Sequence, residues 1–130
     1  MSIWRWADHW DAVPKSAQLS LGEGDTPLIR SRSIGPEAGL PNLFFKLETV
    51  NPSGSYKDRF AAAAISHMQA AGQKTCIATS SGNTGAALAA YCSAAGIRCR
   101  IAVVETAPPA KLAQMMAYGA EIFRVRGFGT

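Results

Sequence analysis

The sequence predicts an α/β fold: an open, mostly parallel sheet with flanking helices. Two observations predict it. Short β-branched runs alternate with longer alanine-rich runs, and a glycine closes each of the longer runs. Strands separated by helices of this length are joined by crossovers, which produce parallel pairing. With 130 residues, of which 48% are hydrophobic, the chain suits one compact domain and is too short for two ordinary ones.

Residues 1–20 are expected to form an amino-terminal arm or short helix that packs on the rest of the chain. All three tryptophans, Trp4, Trp6 and Trp10, lie in this segment. In an α-helix Trp6 and Trp10 share one face, and their rings need burial. We interpret them as packing anchors rather than as a ligand site. Residues 21–130 then form the α/β domain.

The first strand and helix of that domain are predicted from composition and capping signals. Residues 43–48 are typical of a strand and are followed by a turn-rich segment. Ser55 and Asp58 have the spacing of a capping box. The alanine-rich residues 57–71 continue as a helix, which Gly72 ends.

The same alternation continues along the chain. The further predicted elements are a strand at 75–79, a polar turn at 80–85, a helix at 86–95 ended by Gly96, a strand at 98–104, a helix from Pro108 and Pro109 to Gly119, and a strand at 121–125. No closing element follows that last strand. We therefore expect the sequence to be an amino-terminal fragment of a longer protein.

Composition and charge argue against several classes of function. The net charge of +4 is scattered rather than clustered, so a nucleic-acid partner is not expected. No run approaches the roughly 20 apolar residues that cross a bilayer, and no signal peptide begins the chain. Cys76, Cys92 and Cys99 lack metal-site spacing and are odd in number. We expect no metal, no disulfide framework and a cytoplasmic location.

Lys57 is a candidate catalytic residue because it violates a local rule. The electropositive start of a helix disfavours a cation by about 0.3 to 1 kcal/mol, and such violations often mark functional sites. In a partly apolar crevice, burial and the helix field would lower the pKa of Lys57, which would make its neutral amine available to a carbonyl group. The alternative is a solvated lysine in the first turn of a helix.

Residues 80–85, with the sequence SSGNTG, form a candidate receptor for an anion. Successive backbone N–H groups, hydroxyls and an amide favour a carboxylate or phosphate oxygen. The alternative is an ordinary turn in which a serine or asparagine caps the next helix. Since this turn and Lys57 both follow predicted strands, we expect them at one sheet edge. Together they suit an amino acid held by its carboxylate and activated through an aldehyde cofactor.

Three motifs resemble a known family. Residues 51–59, NPSGSYKDR, resemble the lysine motif of the pyridoxal-phosphate enzymes of fold type II, the tryptophan-synthase β-chain group. Residues 80–85 resemble the substrate-carboxylate loop of that group. Residues 21–28, LGEGDTPL, with the WRW opening at 4–6, most resemble the threonine synthases. The similarity covers nearly the whole chain, which is identified as an incomplete member of the fold type II group.

The resemblance implies a role for five residues. Lys57 would form a Schiff base with pyridoxal 5'-phosphate and shuttle protons once substrate displaces it. Asn83 would hydrogen-bond the ring hydroxyl of the cofactor. Ser81, Gly82, Asn83 and Thr84 would hold the substrate carboxylate.

The threonine-synthase resemblance also implies a reaction, in which a lyase converts O-phosphohomoserine and water to threonine and phosphate. Two alternatives within the family are β-replacement of the cysteine-synthase kind and deamination of serine or threonine. The non-enzymatic alternative is a truncated interaction module or an inert remnant. For the full-length protein we expect a homodimer that acts on a small amino-acid substrate. The 130-residue piece alone is expected to be inactive.

Small departures from the family motifs remove no functional group. Ser53 stands where threonine is usual, Tyr56 where phenylalanine is usual, and Phe60 where a small residue is common. The glycine-rich cradle for the cofactor phosphate is expected beyond the end of this sequence. Glu23 and Asp25 lie in a glycine-rich turn, where a structural role is favoured over acid–base chemistry.

Overall fold

Two sheets and four helices make up the fold in a computed structural model, which describes residues 2–10 and 13–127. The strands are β1 (Leu28–Arg30), β2 (Phe44–Lys46), β3 (Thr75–Thr79), β4 (Arg98–Val104) and β5 (Glu121–Val125). The helices are α1 (Ile34–Glu37), α2 (Lys57–Ala70), α3 (Asn83–Ala95) and α4 (Pro109–Ala117). Short 3-10 helices lie at Ile3–His9, Lys15–Ala17 and Glu48–Val50.

The central sheet is parallel and has the strand order β3-β4-β5. Cys76 pairs with Cys99 and Ile101 with Ile122 along the register. All three strands have the bounds that the sequence predicted, because each is a continuous β-branched or apolar run closed by turn residues. The α/β class with a parallel sheet and flanking helices is therefore confirmed.

The core lies between this sheet and the helices. Alternate residues of β4, namely Cys99, Ile101 and Val103, are buried, as the two-residue period of a strand requires. Helix α3 contributes fully buried alanines, and these small side chains let α2 and α3 pack closely. Helix α4 adds Met115, which is fully buried.

The second sheet corrects one prediction. The strand predicted at 43–48 is shorter, and it pairs antiparallel with β1, so that Ile29 lies opposite Phe45. No pattern in the sequence predicted β1. We expected the segment before Lys57 to follow a strand of the parallel sheet. It follows a strand of the separate antiparallel sheet instead. An antiparallel partner only a few residues long carries too little periodicity to be recognised.

Helix α3 begins earlier than predicted, at Asn83 rather than at residue 86. The Ser80 hydroxyl accepts the N–H of Gly85 at 3.0 Å. This contact satisfies an amide of the first turn, so that the last residues of the predicted polar turn become helical. The end of the helix is as predicted, since Gly96 has a φ of 64° in the left-handed region.

The amino-terminal arm also differs from the prediction. Residues 3–9 form a 3-10 helix, in which residues three apart share a face. Trp10, whose extended backbone follows this helix, stacks on Trp4 with ring centroids 5.8 Å apart, and Trp6 and Trp10 are 55% and 41% exposed. The arm is anchored instead by the buried Ile3 and by a 2.9 Å hydrogen bond from the Leu19 N–H to the Ser66 hydroxyl of α2.

Candidate functional site

The lysine loop, residues 51–56, leads directly into α2 and is held by the first turn of that helix. The Asp58 carboxylate accepts the N–H of Ser53 at 3.1 Å and, at 3.5 Å, that of Ser55. The Ser55 hydroxyl accepts the N–H of Lys57 at 3.3 Å. The Asp58 half of the predicted capping box is therefore present, whereas the Ser55 hydroxyl binds Lys57 instead of Asp58 and the helix starts after Tyr56.

Lys57 is the first residue of α2 and is half-buried. Its Nζ atom lies 4.7 Å from the centre of the Tyr56 ring. Within the described ranges, no carboxylate forms an ion pair with this amine. The amine is therefore held by a contact that a reacting carbonyl group could displace.

The amide loop, which we define as residues 80–84, offers backbone donors at the start of α3. The Ser80 hydroxyl accepts the N–H groups of Gly82 at 3.3 Å and of Gly85 at 3.0 Å. The N–H groups of Asn83 and Thr84 have no acceptor among the residues that the structure describes. Free amides at the positive end of a 13-residue helix favour an anion.

The side chains of the amide loop are in different states. Ser81 Oγ accepts the N–H of Val104 at 3.1 Å, which ties the loop to the end of β4. Its hydroxyl proton is still able to donate. The Asn83 side chain is exposed, and Thr84 is half-buried. The structure thus brings Ser81, Gly82, Asn83 and Thr84 together at the start of one helix, which packs against the helix that Lys57 begins.

The glycine-rich segment 21–28 is tied to the lysine loop by a hydrogen-bond network. Gly24 N–H donates to Asn51 Oδ1 at 2.9 Å, and the Thr26 hydroxyl donates to Glu48 at 2.7 Å. Arg59, two residues after Lys57, binds both Glu48 oxygens at 2.9 and 3.0 Å. The hydrogen bond from Arg59 is the main reason that the pKa of Glu48 falls to about 2.

Glu23 is engaged in the structure, as the sequence suggested. It is fully buried and accepts hydrogen bonds from Tyr91 at 2.8 Å and from the Leu21 N–H at 3.0 Å. Ser20 and the Ile3 N–H also donate to it. One carboxyl group thus joins the arm, the glycine-rich segment and α3. In the turn that contains Glu23, Asp25 adopts a left-handed backbone conformation with a φ of 49°, which is uncommon for a residue other than glycine.

Helix α4 contacts the lysine loop and the first turn of α3 through neighbouring residues. Gln114 Nε2 donates to the Ser53 carbonyl at 3.0 Å. Met115 packs against α3 so closely that a Cβ atom on Gly85 would lie 2.8 Å from its Cε atom. Sequence reasoning missed Glu48, Tyr91 and Gln114. No local pattern marks them, because their partners are distant in the chain.

Comparison with known proteins places this site in a family. Residues 19–129 match the sequence profile of a family described as pyridoxal-phosphate dependent enzyme. The chain belongs to this family. Membership of this family implies pyridoxal phosphate, the cofactor that the motifs indicated, and the family prediction is confirmed.

Curated relatives name one enzyme repeatedly. The chain is 38% identical to the threonine synthase of Halalkalibacterium halodurans, over 98% of this chain and 37% of the relative. It is 36% identical to the threonine synthase of Methanocaldococcus jannaschii, over 98% of this chain and 32% of the relative. The chain thus spans about a third of the length of these relatives.

Solved structures with the same fold carry out several reactions. An O-ureido-L-serine synthase superposes with a TM-score of 0.74 and 31% identity, over 81% of this chain and 34% of that one. A pyridoxal 5'-phosphate-dependent aspartate racemase gives a TM-score of 0.73 and 32% identity, over 85% and 36%. The fold is therefore shared between a synthase and a racemase.

The Lys57 amine fits the aldehyde of the cofactor that the family uses, and the first amides of α3 fit the carboxylate of an amino-acid substrate. An aldehyde needs a primary amine, and Lys57 offers one without an ionic partner in the described chain. A carboxylate needs unpaired donors, and the first amides of α3 supply them.

No helix among the described residues has both the length and the apolar character to cross a bilayer. Those residues also contain no group of three or more histidine, cysteine, aspartate or glutamate side chains that could hold a metal ion.

Proposed function

We propose that the protein is an enzyme of the threonine-synthase type, a lyase that converts O-phosphohomoserine and water to threonine and phosphate. The observation that carries the proposal is the extent of the similarity. Threonine synthases match 95 to 98% of this chain, a range that includes the lysine loop and the amide loop. Because the chain covers about a third of those relatives, the activity is proposed for the full-length protein.

In this proposal Lys57 holds the cofactor and moves a proton. When bound, pyridoxal phosphate withdraws electrons from the α-carbon of an amino acid. The Nζ atom of Lys57, once free, accepts a proton from that carbon and returns it to the substrate later. Its place in the first turn of α2, after a loop fixed by Asp58, limits the positions that the amine can occupy.

The amide loop has the second role. The free N–H groups of Asn83 and Thr84, with Gly82 and the Ser81 hydroxyl, bind the substrate carboxylate at the positive end of α3. The Asn83 side chain, which is exposed and has no hydrogen bond among the described residues, donates to the ring hydroxyl of the cofactor. This arrangement orients the α-carbon without using a charged side chain.

A second reaction is supported by the structural neighbours. O-ureido-L-serine synthase has the same fold at 31% identity, which favours β-replacement of the cysteine-synthase kind as the alternative. Phosphate release from O-phosphohomoserine and cysteine formation from O-acetylserine and sulfide separate the two reactions. The proposal retains a cytoplasmic homodimer, and the mass of the full-length protein by light scattering tests the assembly state.

The test of the site is the visible absorbance of the bound cofactor. The full-length protein is mixed with pyridoxal phosphate, and Lys57→Ala is compared with Lys74→Ala. Lys74 is exposed, and its side chain has no partner within the described ranges. We expect Lys57→Ala to abolish the visible band and Lys74→Ala to preserve it. A band that persists in Lys57→Ala removes Lys57 from the proposed role.

A further inference from the structure

Gln114 is the side chain of α4 that reaches the lysine loop. Its Nε2 atom donates to the Ser53 carbonyl at 3.0 Å, across 61 positions of sequence. Ser53 is buried, with 4% exposure, and its N–H is held by Asp58. Its own hydroxyl has no partner in the described chain. The position of Ser53 therefore depends on its two main-chain hydrogen bonds, of which Gln114 supplies one.

The orientation of the Gln114 amide is determined by Lys111. Lys111 Nζ lies 3.0 Å from Gln114 Oε1. An ammonium group can only donate, so the amide oxygen must face Lys111 and the amide nitrogen is left for the acceptor on the other side. That acceptor is the Ser53 carbonyl. The pair Lys111 and Gln114 thus selects one of the two possible flips of the amide.

The next residue of α4 packs against the first turn of α3, directly after the amide loop. Met115 is fully buried, and its Cε and Sδ atoms fill the space beside Gly85. The same glycine donates to Ser80, the first residue of the amide loop. Gln114 and Met115 are adjacent in α4. Gln114 thus contacts the lysine loop, and Met115 contacts the start of α3, where the free amides lie.

We propose that Gln114 is a positioning residue, which fixes the lysine loop against α4 and thereby sets the place of the Lys57 amine relative to the amides of α3. This inference rests on the proposed function of Lys57. Gln114 takes no part in bond making. Its role is to keep the distance between the Lys57 amine and the amides of α3 unchanged when the cofactor binds.

The test compares two Gln114 variants with the same changes at Gln69. Gln114→Leu removes both hydrogen bonds, and Gln114→Glu keeps the size and the contact with Lys111 but sets an acceptor against the Ser53 carbonyl. Gln69 is exposed on α2 and has no side-chain partner within the described ranges, so Gln69→Leu and Gln69→Glu are matched controls. The full-length protein is titrated with pyridoxal phosphate, and the visible band is followed against pH.

We expect both Gln114 variants to bind pyridoxal phosphate about ten-fold more weakly, because each loses the part-buried hydrogen bond to the Ser53 carbonyl. We also expect the pH midpoint of the visible band to move, because it reports the surroundings of the Lys57 nitrogen rather than global stability. The Gln69 variants should match the unmodified protein in both measurements.

An unchanged affinity and pH midpoint in Gln114→Glu overturn the inference. If Gln114→Leu does not fold, the variant of equal size, Gln114→Glu, decides the question. The Lys57→Ala band separates the two claims. Loss of that band together with unaltered Gln114 variants refutes only the positioning role, whereas persistence of the band refutes the proposed function itself.

Discussion

Tyr91 donates a 2.8 Å hydrogen bond to Glu23, which lies 68 positions earlier in the chain, and both side chains are fully buried. Burial, and next the hydrogen bond with Glu23, raise the pKa of Tyr91 far above its usual range, so the phenol remains a donor. The pair joins α3 to the glycine-rich segment. It is therefore a structural link between the segment that most resembles threonine synthases and the helix that begins at the amide loop.

Removing the Tyr91 hydroxyl should destabilise the fold. Tyr91→Phe leaves a buried carboxyl group with one donor fewer, and hydrogen bonds to charged groups contribute about 1.5 to 3 kcal/mol. We expect the free energy of unfolding in urea to fall by that amount. Tyr118→Phe is the control, since Tyr118 is half-buried and its hydroxyl has no partner among the described residues. An equal loss in both variants would contradict this account.

A methyl group at Gly85 should be destabilising although it lies in a helix. Alanine gains about 1 kcal/mol over glycine in helix propensity. The added Cβ atom, however, would lie 2.8 Å from Met115 Cε and 2.9 Å from the Ser80 carbonyl oxygen. The backbone oxygen cannot move freely, and overpacking costs about 1 to 3 kcal/mol.

We therefore expect Gly85→Ala to lower the melting temperature. Gly82→Ala is the matched control, because a Cβ atom there meets nothing within 4 Å. A melting temperature for Gly85→Ala at or above that of the control would show that α3 and α4 have room to separate.

The ion pair of Glu48 and Arg59 predicts how stability depends on pH. The folded-state pKa of Glu48, about 2, is below its ordinary value of 4.5. The pair therefore stabilises the protein above about pH 4.5, and this contribution is lost as the pH falls towards 2. Since the Glu48 and Arg59 side chains are 26% and 36% exposed, solvent screening reduces the contribution to about 1 kcal/mol.

Arg59→Met should therefore lower the free energy of unfolding at neutral pH, and the difference from the unmodified protein should shrink in acid. Urea titrations at several pH values measure it. Arg124→Met is the control, because Arg124 is exposed and has no ion pair within the described ranges. A difference that stays constant down to the lowest pH would assign the effect to lost packing of the arginine stem.

The three cysteines should be protected from thiol reagents in the folded protein. Cys76, Cys92 and Cys99 are free and buried. Mutual hydrogen bonds lower the pKa of Cys76 but raise that of Cys92, so the protection expected for all three thiols rests on burial rather than on protonation. A buried sulfur atom reacts slowly because the reagent cannot reach it while the core stays closed.

We expect mass spectrometry to show labelling of these thiols only after unfolding in denaturant. Ser93→Cys, which adds a thiol at an exposed position of α3, should be labelled at once under native conditions. Rapid native labelling of the three original cysteines would show that the contact between the sheet and α3 opens readily.

Local patterns in the sequence determined much of this fold. The bounds of β3, β4 and β5 follow from apolar runs between turn residues, and Gly96 ends α3 because it adopts a left-handed conformation without strain. The capping interaction of Asp58 and the family motifs are likewise local. Each of these features depends on residues a few positions apart, so the order of amino acids is sufficient to reveal it.

Tertiary structure alone decided which distant groups meet. The sequence contains Gln114, Ser53, Tyr91 and Glu23, but no periodicity links residues more than 60 positions apart. Trp10 stacks on Trp4 because its backbone becomes extended after the 3-10 helix of the arm, a change that the sequence did not predict. Side chains that are distant in the sequence become partners only when packing of the core brings their elements together. Apolar burial by all the elements stabilises that packing, so no short stretch of sequence reveals it.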